Sequence, residues 1–354
     1  MSLIKLGFDP EYFLSGEEVP PGFSVARVIT VNKDNYQIST GTVVVRAELS
    51  GKMLFDAETS LDFPAVGDWV LYQDIDGSDF YPIHKLLTRK SLLKRKTSGK
   101  KIDHQLIAAN LDTAFIVMAL DDNYNLNRLE RYLVLVTGSG IHPVVLLTKS
   151  DLISEAELQE KISEINIRQK SVEVMAISNI SGSGLQAVKD KISEGKTYCL
   201  LGSSGVGKTS LLNNLTDGGF AVKAVREGDN KGRHTTTRRE LIVLDTGGII
   251  IDTPGMRELG NFGSEEGLIN TFDDITSLAG ECRFRDCTHV NEKGCAVLAA
   301  VEAGDISEKQ YKNYLKLRKE VAHYETSYHE KRKKGKEFSK FVKNVLSEHK
   351  KRKY

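Results

Sequence analysis

The chain lacks any long apolar run. Its longest stretches, such as Ala114–Leu120 and Val144–Leu147, fall far short of the ~20 residues needed to span a bilayer. No membrane partner is expected. The first residues, MSLIKLGFDPEYF, carry Asp9 and Glu11 soon after a short apolar patch. They lack the basic start and apolar core of a secretory leader, so a cytoplasmic protein is expected. Cysteine is scarce: four in 354 residues do not make a disulfide scaffold. No internal repeat is visible. An excess of one charge is also missing, because 49 Lys+Arg against 48 Asp+Glu leave +1. Taken over the whole chain, that argues against a nucleic-acid partner. What is present is an ordinary globular composition, 40% hydrophobic and 27% charged. It excludes a disordered or collagen-like chain. The length predicts two or three domains at roughly 100–200 residues each.

Residues 22–96 read as short strands, with Ser24–Val31, Tyr36–Thr40, Thr42–Leu49 and Asp68–Gln73 among the candidates. Asn32, Asn35, Gly41, Gly51 and Gly67 punctuate them as turns require. About five strands in such a span predict a small barrel of the OB-fold kind. An SH3-like barrel would give the same pattern. Near residue 100 the pattern changes. Apolar strands at 114–120, 143–148, 171–177 and 197–201 alternate with helical stretches at 126–137, 155–165 and 184–194. That alternation predicts a parallel sheet with crossover helices. Residues 241–252 read as a hairpin turning at Gly247-Gly248. From Leu268 onward the chain reads as helical.

Chemistry begins at residues 202–209, GSSGVGKT, between a strand and a helix. Gly202, Ser203, Ser204, Gly205, Val206, Gly207, Lys208 and Thr209 fit the phosphate-loop pattern, and Ser210 follows in the helix. Glycines let backbone N–H groups curl towards phosphate oxygens. Lys208 brings a positive charge to the β- and γ-phosphates, and Thr209 can ligate Mg2+. The bland alternative is a glycine-rich turn with a solvated lysine.

The base is read elsewhere. Thr148-Lys149-Ser150-Asp151 follows a buried-type strand. Asp151 can accept from guanine N1–H and N2–H2, donors that adenine lacks. A buried Asp151 would therefore be unpaired with ATP. Lys149 can lay its stem along the base, and Thr148 can hold the loop closed. Ser178 is the candidate on the far side of the base. A helix cap is the alternative for TKSD alone. Residues 252–255 read DTPG: Asp252 can hold Mg2+ through water, and the Gly255 N–H can meet the γ-phosphate. Thr236 or Thr237, in RHTTT, would complete the magnesium shell.

In ordinary GTPases the phosphate loop comes first and the base reader last. Here TKSD and Ser178 precede GSSGVGKT, and TTT and DTPG follow it. This permuted order, with a β-barrel before it and a Cys/His cluster after it, closely resembles the RsgA (YjeQ) family. These are circularly permuted GTPases of bacteria and plastids that depend on the small ribosomal subunit. The resemblance covers roughly residues 22–325. It extends to Asn127-Arg128, Arg131-Tyr132-Leu133, GRHTTTRRE and DTPGMRELG. Cys282, Cys287, His289 and Cys295 match the family's zinc ligand set, and three thiolates with one imidazole suit a closed tetrahedral Zn2+ site. Unliganded reduced cysteines are the alternative. Cys199 reads as core. Lys293 stands where the family often has proline, and Asn179 stands where ordinary GTPases have alanine.

The resemblance implies a division into an N-terminal extension and barrel (1–100), a permuted GTPase domain (101–265), a mainly helical zinc-binding domain (266–330) and a basic tail (331–354). It implies binding of GTP and GDP, of the small (30S) subunit and of its 16S rRNA; a monomer is expected, because nothing in the sequence demands a dimer. The resemblance further implies release after subunit-stimulated hydrolysis, late in subunit maturation. Met256 follows the DxxG glycine where many GTPases carry a water-positioning glutamine. Slow intrinsic hydrolysis is therefore expected, with His234 as the candidate to orient the water. Two other readings compete. One is a metabolic ATP-dependent kinase, against which TKSD and DTPG argue. The other is a non-catalytic RNA-binding factor that uses nucleotide only as a latch.

The near-zero charge is a cancellation. Residues 331–354 hold eleven Lys/Arg and two Glu, and residues 89–101 hold seven Lys/Arg and no acid. Arg89, Lys90, Lys94, Arg95, Lys96, Lys100 and Lys101 are therefore candidate contacts to an RNA phosphate backbone.

Overall fold

The computed structural model describes residues 2–16, 18–33, 35–75, 78–96, 104–216, 239–253 and 264–322. A short helix α1 (Pro10–Phe13), capped by the Asp9 side chain, leads into a barrel. Its strands are β1 (Phe23–Val31), β2 (Tyr36–Ser39) and β3 (Val44–Leu49), then, after helix α2 (Gly51–Asp56), β4 (Trp69–Gln73) and β5 (Tyr81–Leu86). The ladder runs β1-β2-β3-β5-β4 and closes where β4 pairs back onto β1. Strands β3 and β5 are parallel, and the other pairs are antiparallel. Ala26, Val28, Ile38, Ala47, Val70 and Ile83 are fully buried inside. The OB-fold barrel expected from strand spacing is present. The fifth strand, β5, carries Pro82 and His84 and has a weaker alternation than its neighbours.

A hairpin of β6 (Leu92–Lys96) and β7 (His104–Ala109) follows. Its two strands lie on either side of residue 100, where the sequence reading ends the barrel. Its Leu93 and Ile107 pack into the core of the next domain.

That domain is an α/β unit: β8 (Thr113–Ala119), α3 (Leu126–Thr137), β9 (His142–Thr148), α4 (Glu155–Arg168), β10 (Glu173–Ala176), α5 (Leu185–Lys191), β11 (Thr197–Leu201), α6 (Lys208–Leu215), β12 (Glu240–Val243) and β13 (Ile249–Asp252). The sheet order is β10-β9-β8-β11-β13-β12. All pairs are parallel except the edge pair β12–β13. Strands β8, β9 and β11 are near-continuous apolar runs because helices cover both faces. Helices α3 and α4 cover one face, through Leu129, Leu133, Leu158 and Ile165. Helices α5 and α6 cover the other, through Val188, Leu211 and Leu212.

One feature of the join was not legible in the sequence. Thr30 of β1 pairs with Glu240 of β12, so barrel and α/β sheet form one continuous ladder. Arg27 of β1 is 1% exposed and reinforces the join. It donates to the carbonyls of Leu6 and Gly67 and to the Thr197 hydroxyl at the start of β11. Trp69 lies under its guanidinium at 5.3 Å. Burial lowers its pKa to about 10, still far above neutrality.

The C-terminal helices are α7 (Glu265–Thr271), α8 (Asp273–Ala279), α9 (Ala296–Ala303) and α10 (308–322). They share a core of Leu268, Phe272, Ile275, Val297 and Leu317. Val134 of α3 belongs to the same cluster, so α3 serves two cores at once. The contact needs a glycine: a Cβ on Gly267 would stand 2.1 Å from the Val134 carbonyl oxygen. No helix among the described residues is long and apolar enough to cross a membrane.

Candidate functional site: a nucleotide cleft and a Cys3His cluster

The cleft forms at the C-terminal ends of the parallel strands, where α/β sheets place ligands. The phosphate loop leaves β11 at Gly202 and enters α6 at Lys208. Gly202 (φ 151°) approaches the Val117 carbonyl so closely that a Cβ would lie 2.3 Å from its oxygen. Gly205 and Gly207 take positive φ, as the curl of the loop demands. Val206 is buried and anchors the loop, while Ser204, Gly205, Thr209 and Ser210 are exposed. The Lys208 ammonium lies across the loop and donates to the carbonyls of Gly202 (2.7 Å) and Ser203 (2.6 Å).

TKSD lies alongside. Thr148 is fully buried and donates to the Val206 carbonyl at 2.6 Å, tying the base-reading loop to the phosphate loop. Lys149 adopts φ 61°, and its ammonium pairs with Asp121 at 2.6 Å. That bond, foremost among its neighbours, holds the Asp121 carboxyl below its ordinary value. The Ser150 N–H donates to the Ile177 carbonyl, joining TKSD to the Ser178 loop. Ser178 is buried and donates to Asp151 Oδ1 at 2.5 Å, while the N–H groups of Ile180 and Ser181 donate to its hydroxyl. Asp151 is exposed, not buried. Only a base stacked over the loop would shield it from water.

Two residues that sequence reasoning passed over belong here. Asp121 follows β8 in L-D-D-N, and a carboxylate at the C-terminal end of a parallel strand was the available signal. Asn179, noted only as a departure, donates to the Gly207 carbonyl at 3.3 Å and is held in turn by Asn214 of α6. Asp252 ends β13 half-buried. Burial raises its carboxyl pKa, and the Lys208 charge partly offsets this. Thr253 donates to the Leu200 carbonyl, fixing the end of β13 against β11. His234, Thr236, Thr237, Gly255, Met256, Lys100, Lys101 and the 331–354 tail lie outside the described residues.

The second centre is the group Cys282, Cys287, His289 and Cys295, whose ligand atoms lie within 4.8 Å of one another. Bond lengths of about 2.3 Å to sulfur and 2.0–2.1 Å to nitrogen require tetrahedral edges of about 3.8 Å (S–S) and 3.5 Å (S–N). The observed separations are 3.8 Å for Cys282–Cys295, and 3.6 and 3.4 Å from His289 Nδ1 to Cys282 and Cys295. A tetrahedral metal ion fits this donor set. The supporting knuckle is built from backbone. His289 takes φ 62°, and its carbonyl accepts from the Tyr311 hydroxyl. The Glu292 carboxylate accepts from the N–H groups of Thr288, Val290 and Asn291 and from the Thr288 hydroxyl. Those bonds depress its pKa to about 2.

The basic segment does not behave as one surface. Arg89 turns inward: it grips the fully buried Asp68 through two guanidinium nitrogens and donates to the carbonyls of Leu61 and Phe63. Its side chain is 14% exposed, so it is a barrel fastener and not a free phosphate contact. Lys90 lies over the Tyr12 and Phe13 rings and reaches Asp9. Arg95 donates to Gln105 across the hairpin. Lys94 is half-buried, and burial lowers its pKa. Lys96 ends β6. Arg89→Ala is expected to cost about 3 kcal/mol, because it strands the buried Asp68 carboxylate. A thermal melt checks this, and an unchanged midpoint would return Arg89 to the surface set.

The contact between the α/β unit and the cysteine-bearing helices carries one buried acid. Glu130 of α3 is 1% exposed, accepts from Asn313 of α10 at 2.5 Å and pairs with Arg168 at 3.3 Å. Burial outweighs both partners and raises its pKa from 4.5 to about 7. Below pH 4.5 the carboxyl is neutral both folded and unfolded. Between about 4.5 and 7 the unfolded chain ionises first, so stability falls across that window by ~3 kcal/mol in full. Glu130→Gln removes the ionisation. Its advantage in melting temperature over the parent should therefore widen from pH 5 to pH 8, and a constant difference would contradict the assignment.

The phosphate loop, a guanine-type TK-x-D loop and the DT of β13 meet at one sheet edge in permuted chain order. These features define a circularly permuted P-loop GTPase with an OB barrel before it and a Cys3His cluster after it. Comparison with known proteins leads to the same place. A family model described as RsgA GTPase matches residues 86–262, and one described as 50S ribosome-binding GTPase matches residues 197–331. "Small ribosomal subunit biogenesis GTPase RsgA 2" of Lactiplantibacillus plantarum is 41% identical over 303 residues, covering 85% of this chain and 84% of the relative. "Small ribosomal subunit biogenesis GTPase RsgA" of Leptospira interrogans is 36% identical, covering 98% of this chain and 97% of the relative. The crystal structure of YjeQ from Thermotoga maritima superposes with a TM-score of 0.65 at 28% identity, covering 85% of this chain and 99% of that one. The structure of YloQ, described as a circularly permuted GTPase, gives 0.62 at 25% identity, covering 87% and 99%. The chain belongs to the RsgA GTPase family.

Proposed function

We propose that this protein hydrolyses GTP in late maturation of the small ribosomal subunit. It binds the subunit in the GTP state and leaves after hydrolysis to GDP and phosphate. The observation that carries the nucleotide reading is the Thr148–Val206 hydrogen bond, with Ser178 held on Asp151. It supports a base-reading role for the Asp151 carboxylate beside the phosphate loop. The subunit reading is supported by the names of the relatives.

In this reading Asp151 accepts from the base, Lys149 covers it, and Ser178 orients Asp151. Backbone N–H groups from Gly202 to Thr209 hold the phosphates, with Lys208 at the β- and γ-oxygens. Lys208 must leave the Gly202 and Ser203 carbonyls to do so. Thr209 and Asp252, with Thr236 or Thr237, would hold Mg2+, which supplies charge neutralisation at the phosphates. The Cys3His site holds one structural zinc. The protein acts as a cytoplasmic monomer on 16S rRNA. Barrel (1–100), GTPase domain (101–265), zinc domain (266–330) and tail (331–354) divide the work.

His234 orients the attacking water. His234→Ala should keep GTP binding and lose most subunit-stimulated hydrolysis, on the order of 10²-fold. Unchanged stimulated turnover would remove that role. The deciding experiment is multiple-turnover hydrolysis of GTP and ATP with isolated small subunits. GTP-selective stimulation supports the proposal. Binding without turnover favours the nucleotide-latch reading, which Met256 in the glutamine position motivates.

A further inference from the structure

A groove of about 600 Å³ runs between α3 and α10 and opens to solvent. Arg128 and Arg131 line it from α3, and Lys309, Lys312 and Lys316 line it from α10. Asn125, Asn127 and Asn313 supply neutral polar groups, and no carboxylate is among its described lining residues. Ser203 of the phosphate loop also lines it, its side chain hydrogen-bonded to Tyr132 of α3. Nothing in the nucleotide chemistry accounts for this wall of cations.

The charges are only partly compensated. Arg131 is paired with Glu320, and Lys312 with Glu308 one turn away. Arg128, Lys309 and Lys316 make no ion pair among the described residues. Lys309, Lys312 and Lys316 are all exposed and fall at i, i+3 and i+7. That spacing makes a single stripe about 10 Å long. A stripe of that length exceeds one phosphate group and suits successive phosphates of a strand. Tyr132, the aromatic lining residue, is 3% exposed, so no ring is offered for base stacking. The groove is built to follow a backbone and not to read bases.

We infer that the α3–α10 groove is a binding site for the sugar-phosphate backbone of an RNA strand, distinct from the 89–101 segment and adjacent to the phosphate loop. The inference rests on the small-subunit reading above and adds a place to it. The strand would lie across α3 and α10, bridging the GTPase and zinc domains. Its inner edge would touch Ser203, so RNA occupancy and nucleotide state would act on the same loop. An RNA contact here would then be felt at the γ-phosphate side without passing through the barrel.

The test uses the full zinc-loaded chain, purified small subunits and a 12-nucleotide single-stranded RNA. Lys309→Glu/Lys316→Glu is compared with Lys293→Glu/Lys319→Glu, an equal charge change outside the groove. The groove variant should bind subunits and oligonucleotide about tenfold more weakly, with a log–log salt slope shallower by about 2. Intrinsic GTP hydrolysis should stay at the parent rate, and helical ellipticity equal to the parent's shows that α10 of the variant is folded. The control pair should bind as the parent does. Equal loss in both pairs, or unchanged binding by the groove variant, overturns the site. So does tighter binding of polyglutamate than of the oligonucleotide at equal charge, which would point to an acidic protein partner. Failure of the parent chain itself to bind subunits would instead remove the reading on which the site rests.

Discussion

Asp151→Asn should abolish GTP recognition and create a xanthine nucleotide-dependent protein. The carboxylate offers acceptors only, and guanine presents N1–H and N2–H2 as donors at that edge. An amide replaces one acceptor with an NH2 that faces the guanine amino group, donor against donor. Xanthine carries a carbonyl oxygen at that ring position, so the amide then matches it. Sites built around such hydrogen bonds discriminate by 10⁴ or more, and a loss of at least about 10³-fold in GTP affinity is expected. The local frame should survive, because the oxygen of the introduced amide can still accept from Ser178, and Lys149–Asp121 and Thr148–Val206 are untouched. Equilibrium binding of GTP, XTP and ATP to both proteins is the check. Undiminished GTP binding by the variant would place the base reader elsewhere in the cleft. The exposure of Asp151 matters here: its discriminating power depends on the base and the Lys149 stem excluding water once nucleotide is bound.

What sequence could and could not reveal follows from the range of the interactions. Helix α3 was legible to the residue from the helical stretch at 126–137 between two apolar strands, and in the structure the Asn125 side chain caps it. Strand β8 was legible because seven consecutive residues suit burial on both faces. The Cys3His site was legible because its four ligands fall within fourteen residues. Contacts across long separations were not. Arg89 reads as one more cation in a basic run, and its partner Asp68 stands 21 residues earlier. Glu130 looks like a solvent-facing helix residue until Asn313, 183 residues later, is laid over it. The joining of β1 to β12 through Thr30 and Glu240 has no local signature either. In the cleft, motif residues were found and the residues that hold them, Asp121 and Asn179, were not. Supporting side chains carry no spacing rule.

Loss of the metal should unfold the C-terminal helices while leaving nucleotide binding in place. Cys295→Ser makes the sharpest case, because Cys295 has two structural jobs. It is one of the four candidate ligands, and its sulfur caps α9 by accepting from the Leu298 N–H at 3.4 Å. Cys287, Cys295 and His289 are each less than a tenth exposed and sit in or against the core formed with Phe272, Val297 and Leu317. Without a metal, that core would have to hold free thiols and an imidazole with no common partner. Structural zinc in such sites contributes on the order of 10 kcal/mol to folding at pH 7, more than the rest of a module this small can replace. The chain should therefore bind one zinc, lose it on strong chelation or in Cys295→Ser, and lose helical ellipticity in proportion. Cys199→Ala, in the buried β11 strand far along the sequence, should keep the metal. The α/β sheet has its own two cores and does not draw on the cysteine helices for them. GTP affinity should thus persist, while subunit binding falls because α10 no longer faces α3. Retention of one zinc and full helicity by Cys295→Ser would falsify the ligand assignment. Joint loss of zinc and GTP binding would instead show that the contact between α3 and α7 supports the cleft as well as the helices.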